Sequence, residues 1–192
     1  MTALGSDLPL RDRIIESAAD LAARRGWASL TMSAVGTAAG VSRQTVYNEV
    51  GSKPQLAQAV VLRELGAFLA MVDRGFDENP GDVVAAIRSA VSGILELADG
   101  NPLVREILSG TSEANADLLP LLTTRSSDVL EMACETALRR LRPLTPHLDE
   151  GHRRAAVDVL VRSVLSHVTR PAMRPDAAAE NVAWAAGRMV SA

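Results

Sequence analysis

Residues 31–50 read TMSAVGTAAGVSRQTVYNEV, and the parsing of that stretch decides the fold. Thr31 has the side chain of a helix N-cap and predicts a short helix over 32–39 that Gly40 stops. Ser42 predicts the cap of a second short helix over 43–50, closed by Gly51. Two short helices crossing at so tight a turn predict a helix-turn-helix unit, whose second helix can enter a DNA major groove. That second helix is unusually polar. Ser42, Arg43, Gln44, Thr45, Tyr47 and Asn48 all carry hydrogen-bonding groups, and only Val41, Val46 and Val50 remain to anchor it.

Each polar side chain has chemistry suited to a duplex. Arg43 can pair in bidentate fashion with a guanine edge, Gln44 or Asn48 with adenine, and the Thr45 methyl can meet a thymine methyl. Tyr47 and Lys53 suit phosphate oxygens, as do the Thr31 hydroxyl and the amides at its helix N-terminus. Tyr47 is the only tyrosine and Lys53 the only lysine, the other basic residues all being arginine. The competing reading of Tyr47 alone is a core ring with a satisfied hydroxyl.

Outward from this stretch the pattern stays helical. Before it, 10–25 has Ile14, Ala18, Leu21 and Ala22 on one face, acids early, Arg24 and Arg25 late, and Gly26 as the expected left-handed cap. After it, Ser52 and Gln55 have capping-box spacing and open a longer helix over 54–76, with Pro54 in its first turn. Further helices are predicted over 82–98, 102–109, 116–142, 148–169 and 176–190, separated by Gly, Pro, Asn and Asp breaks. Aromatics are only 3% of the chain and no stretch alternates with a period of two, so the expected class is all-α. The predicted domains are a three-helix DNA-binding head over 1–53 and a larger helical body over 54–192.

Charge follows the same division. Residues 1–55 carry six basic and five acidic side chains, a net of +1; the whole chain is −3, so the remainder carries −4. A single cysteine, Cys134, forms no intrachain disulfide and fits a reducing compartment. No leader pattern stands at the N-terminus, and charges such as Arg63, Glu64, Asp158 and Arg162 interrupt the apolar runs, so no membrane span is expected. These features predict a cytoplasmic protein. His147, His152 and His167 lack metal-ligand spacing with one another or with Cys134, and VGSKP lacks the order of a phosphate loop. No metal, cofactor or enzymatic activity is expected.

The run from Arg11 to Leu56 resembles the TetR family of transcriptional regulators, about a quarter of the chain. The resemblance is carried by T-x-x-x-V-x-x-x-A-G-V-S over 31–42, Tyr47 five residues beyond that serine, and Lys53 six beyond Tyr47. The wording VSRQTVYNE-x-GSK also looks like actinobacterial members that control hydrocarbon or lipid genes. The resemblance implies phosphate contacts from Thr31, Tyr47 and Lys53, with base readout by Arg43, Gln44, Thr45 and Asn48. One departure stands out: Glu49 and Val50 replace a histidine and phenylalanine common in the family. A carboxylate facing phosphate is repelled, so Glu49 takes no DNA role here and is expected to hold a neighbouring arginine.

The family further implies a small-molecule cavity in the helical body. Few polar groups are available there, which favours a largely apolar effector touched by Phe68, Met71 and Met132, with Arg105 as a polar contact. Asn101, Thr111 and Arg125 are alternative polar contacts, and plain core packing is the competing reading for each apolar one. The last two helices are expected to form a homodimer surface from Val157, Leu160, Val161, Val164, Leu165, Val168, Val182, Trp184 and Met189. The function so implied is a homodimeric repressor that binds a near-palindromic double-stranded DNA operator and is released by its effector. The alternative is a dimeric helical small-molecule-binding protein without DNA binding, which Glu49 and the acidic total favour.

Overall fold

A computed structural model of the chain describes residues 8–104 and 126–190. Arg105, Thr111 and Arg125, with most of the predicted 102–109 helix and the start of the 116–142 helix, lie outside the described residues. All the regular secondary structure among the described residues is helical, with no strand. In order they form α1 (Leu10–Arg25), α2 (Met32–Ala39), α3 (Arg43–Val50), α4 (Lys53–Glu78), α5 (Val83–Gly100), α6 (Ser126–Leu141), α7 (Glu150–Thr169) and α8 (Pro175–Val190). A short 3-10 turn, Arg142–Leu144, follows α6. The first three boundaries coincide with those read from the caps. α4 begins and ends slightly outside the predicted 54–76.

The described residues fall into two compact units. The first holds 8–64 together with 101–104, and the second holds 65–100 with 126–190. In the first, Ile14, Ala18, Leu21 and Ala22 of α1 pack with Trp27, Val35, Val46, Leu56, Val60 and Leu103 in one apolar cluster. Val46 is fully buried, and such burial contributes roughly 1.5–3 kcal/mol. Gly26 has a positive φ of 80° as its position requires, but its ψ of 148° is extended rather than left-handed helical. The chain therefore leaves α1 straight into Trp27, which is completely buried.

Asn101 ties the later segment into this unit. Its Oδ1 accepts from the amides of Leu103, at 3.0 Å, and Val104, capping the turn that Pro102 opens. Its Nδ2 donates to Glu64 at 2.5 Å, and Glu64 also receives Arg63 at 2.8 Å.

In the second unit Phe76, Ile87, Val91 and Leu95 pack with Leu138, Leu141, Val157 and Leu160 and with the alanine-rich inner face of α8. A Cβ at Gly75 would lie 2.5 Å from the Ala90 backbone nitrogen, so α4 and α5 touch through bare backbone there. Arg153 is a buried charge with its donors satisfied: Nε reaches Thr145 Oγ1 at 3.0 Å, Nη2 the carbonyls of Thr145 and Leu148, and Nη1 Glu150 at 2.7 Å. That fan fixes the turn ahead of α7, whose N-cap Asp149 accepts from the His152 amide at 3.0 Å.

Arg63 and Glu64 interrupt α4 as the sequence reading expects, yet the helix stays apolar on average. Over its best 18-residue window this helix has a mean hydropathy of 1.4, long and apolar enough by composition to cross a membrane. The apolarity has another use, since Leu56, Ala57, Val60 and Val61 pack into the first unit's core and Phe76 into the second's.

Candidate nucleic-acid interface

The polar stretch is built by two capped helices and a turn closed on backbone hydrogen bonds. Thr31 is extended, and its Oγ1 accepts from the Ala34 amide at 3.1 Å. At the other end of α2, Gly40 adopts φ 72° and ψ 30°, a left-handed conformation that other residues take only at a cost. Its amide bonds Thr37 O at 3.3 Å while the Val41 amide bonds Gly36 O at 2.8 Å, the paired closure of a Schellman motif. Ser42 then caps α3, accepting from the Thr45 amide at 3.0 Å. The Ser42 and Thr45 hydroxyls are also 2.9 Å apart.

Gly36 is a functional residue that the sequence reading passed over. A Cβ there would stand 2.8 Å from the Val41 carbonyl oxygen and 3.3 Å from the Arg43 nitrogen. The bare backbone is what lets the start of α3 lie against α2. A glycine inside an otherwise apolar helix was the available signal. Arg13 was missed as well; its Nη2 donates to the Ala39 carbonyl at 3.1 Å and ties α1 to the end of α2.

With Val46 and Val50 buried, the opposite side of α3 is open. Arg43, Gln44, Asn48 and Glu49 are exposed, Ser42 and Thr31 too, and Thr45 is half-buried. Tyr47 is 37% exposed, so it is not a core ring. Two side-chain pairs run along this surface, each spanning one helical turn. Arg43 lies over the Tyr47 ring, 5.4 Å from its centroid, and Gln44 Nε2 donates to Asn48 Oδ1 at 3.0 Å. Glu49 does not hold an arginine: among the described residues it has no hydrogen-bond or ion-pair partner.

Lys53 sits against the segment that leads into Thr31. Its Nζ is 3.5 Å from the Ala28 carbonyl and 5.6 Å from the centre of a Trp27 ring. Half of the capping box forms: Gln55 Oε1 accepts from the Ser52 amide at 2.7 Å, but the Ser52 hydroxyl donates to the same oxygen at 3.0 Å instead of accepting from the Gln55 amide. The geometry therefore gathers on one unit a helix face of donors and acceptors, a capped N-terminus at Thr31 and an ammonium group. A base-reading helix with phosphate anchors needs such a set.

The body residues are distributed differently from the expectation. Met71 lines an open groove of about 790 Å³ between α4 and α5, but Phe68 and Met132 do not line it. Its lining is mixed, with Arg74, Glu78, Arg88, Ser89, Ser92 and Glu96 beside Met71, Ala85 and Leu97. Met132 is exposed on α6.

The expected dimer set is divided by packing. Val157, Leu160 and Val182 are buried within their own unit, Val157 at 1% exposure, so the expectation that they face a partner is corrected. Leu165 is exposed and Trp184 is 64% exposed, while Val161, Val164, Val168 and Met189 are intermediate. Val159, 53% exposed on α7, was missed, because one-face periodicity cannot say which of two apolar faces meets the core.

A fold of this kind, with its polar second helix, defines a helix-turn-helix DNA-binding protein. The chain belongs to the TetR family of transcriptional regulators: residues 14–60 match the bacterial regulatory proteins, tetR family, and residues 82–188 the bacterial tetracyclin repressor, C-terminal domain. Its members are transcriptional regulators, not enzymes. The chain is 32% identical over 162 residues to the HTH-type transcriptional regulator AlkX of Mycobacterium tuberculosis, covering 84% of this chain and 76% of that protein.

Among solved structures it is similar to the TetR family repressor AlkX of Dietzia sp., a protein described as implicated in biodegradation of n-alkanes. That match has a TM-score of 0.76 at 27% identity and covers 96% of this chain and 97% of the other. The fatty acid degradation regulator FadR of Bacillus halodurans shares the fold, with a TM-score of 0.57 at 19% identity, covering 94% of this chain and 96% of that one.

Proposed function

We propose that this regulator is a homodimeric repressor that binds a near-palindromic operator and is released by a largely apolar small molecule. The observation that carries the DNA-reading part is the outward polar face of α3, where Arg43, Gln44, Thr45 and Asn48 stand exposed or half-exposed above a buried valine anchor. In this reading they meet base edges, while Thr31, Ser42, Tyr47 and Lys53 grip phosphates. The head is then the part up to residue 53 and the body the remainder.

The dimer reading is supported by exposed apolar side chains on α7 and α8, Val159, Leu165 and Trp184, which water solvates poorly. Two-fold pairing would set two copies of α3 on successive turns of one DNA face. The likeness to AlkX proteins supports an effector from the hydrocarbon or lipid class. Such an effector acts only through its different affinity for the operator-bound and free conformations.

The test is binding of the full chain to duplex from its own promoter region across a salt series. The expected result is a linear fall of log affinity with log salt and a loss of at least about tenfold on Arg43→Ala. A chain that stays dimeric yet binds no palindromic duplex would sink the reading. Mass spectrometry of small molecules released on denaturation identifies the effector.

A further inference from the structure

The carboxylate of Glu49 is the one feature of α3 that neither the fold nor phosphate binding explains. It lies next to the helix C-terminus, where the helix dipole already places partial negative charge and a carboxylate is disfavoured. No arginine, lysine or backbone amide among the described residues offsets it. It is exposed, so it contributes no burial either.

Its position on the helix is specific. At about 100° per residue, Gln44 and Asn48 form the crest opposite buried Val46 and Val50, and Tyr47 and Glu49 occupy the two shoulders. Thr45 shares Glu49's shoulder one turn earlier, while Arg43 shares Tyr47's. The two shoulders therefore differ in kind. One carries a cation and a phenol, the other a hydroxyl and an anion.

We propose that Glu49 is a specificity-determining residue that accepts a hydrogen bond from the N4 amino group of a cytosine in each operator half-site. This rests on α3 reading the major groove as proposed above. A carboxylate only accepts, which restricts its partners in the groove. Guanine offers it two acceptors and thymine an acceptor beside a methyl. Adenine offers an amino group beside the N7 acceptor, and cytosine an amino group with no acceptor on its own major-groove edge. Away from cytosine the same charge meets acceptors or phosphates and is repelled. Glu49 thus favours one base and weakens binding to the rest.

The experiment is selection from randomised duplexes by the full-length wild type, Glu49→Gln and Glu49→Ala, followed by affinities for the selected site and its single-base variants. In the wild type, exchanging one half-site cytosine for thymine is expected to cost about tenfold. That penalty should vanish in Glu49→Ala, and Glu49→Gln should shift the preferred base toward adenine, with preferences elsewhere in the site unchanged. If both variants tighten binding to every sequence alike, or leave the base profile as it was, Glu49 reads no base and the proposal falls. If the wild type selects no sequence at all, the DNA-reading function itself has failed, and this inference with it.

Discussion

The Arg43 guanidinium lies 5.4 Å from the centroid of the Tyr47 ring, and its Nη2 is 3.5 Å from the Tyr47 hydroxyl. The aromatic face limits where the long arginine side chain can swing, so the two residues form one unit of the exposed face of α3. Arg43→Ala is expected to cost about 1–3 kcal/mol in operator binding and to relax selectivity at one base position. Tyr47→Phe keeps the ring and should lower affinity evenly across sequences. A double-mutant cycle of Arg43→Ala with Tyr47→Ala should come out non-additive by at least about 0.5 kcal/mol. Strict additivity would mean the stacking is idle in the complex.

Lys53 stands on the edge of this surface beside the segment that enters Thr31. Lys53→Ala should weaken binding uniformly and reduce the salt slope by about 1 per subunit, because one phosphate is no longer neutralised. Affinities measured at several salt concentrations check this. An unchanged slope assigns the lysine to packing against Trp27 alone.

Gly36→Ala tests the turn itself. The new Cβ would lie 2.8 Å from the Val41 carbonyl oxygen, which is backbone and cannot rotate away. Overpacking of this kind costs about 1–3 kcal/mol, so thermal unfolding should shift downward with a parallel loss of operator binding. Stability equal to wild type would show that α3 can move off α2.

Asp149 and His152 are exposed partners at the start of α7. The hydrogen bond between them, helped by their opposite charges, raises the His152 pKa above its ordinary value and lowers that of Asp149. A raised histidine contributes stability that is complete below the unfolded pKa of about 6.5 and lost as pH rises through the folded value. A lowered aspartate contributes above about 3.9 and loses that contribution as pH falls through its folded value. Together the pair acts most strongly between about pH 4 and 6.5. Proton NMR should place the His152 midpoint above that of a free histidine, and Asp149→Asn should return it. Asparagine caps as well as aspartate, whereas Asp149→Ala also removes the cap.

The last prediction separates core from partner surface in α7 and α8. Trp184→Glu or Leu165→Asp should produce monomers in sedimentation equilibrium with helix content retained. Val157→Ala should instead lower the unfolding midpoint, by about 0.5–2 kcal/mol of stability, and leave association intact. The reverse outcome would move the dimer surface elsewhere.

Much of this architecture could be read without coordinates. Thr31, Gly40, Ser42, Gly51 and the Ser52–Gln55 pair marked both ends of α2 and α3 and the start of α4 closely, because a helix end is settled by local backbone donors and acceptors and by the side chains that satisfy them. The polar composition of 42–48 likewise foretold that this face of α3 would stay open to solvent, since only Val46 and Val50 are buried on the helix. What the chain alone left open was everything set by remote partners. Val157 and Val159 are both valines on one helix, and only the packing of α7 against its neighbours buried the first and exposed the second. Gly36 looked like an interruption until the Val41 carbonyl was found against it, and Glu49 was expected to hold an arginine that the fold does not bring near. Caps are short-range chemistry and the sequence carries them whole, whereas burial and charge pairing are relations between surfaces far apart in the chain, and only the folded structure decides them.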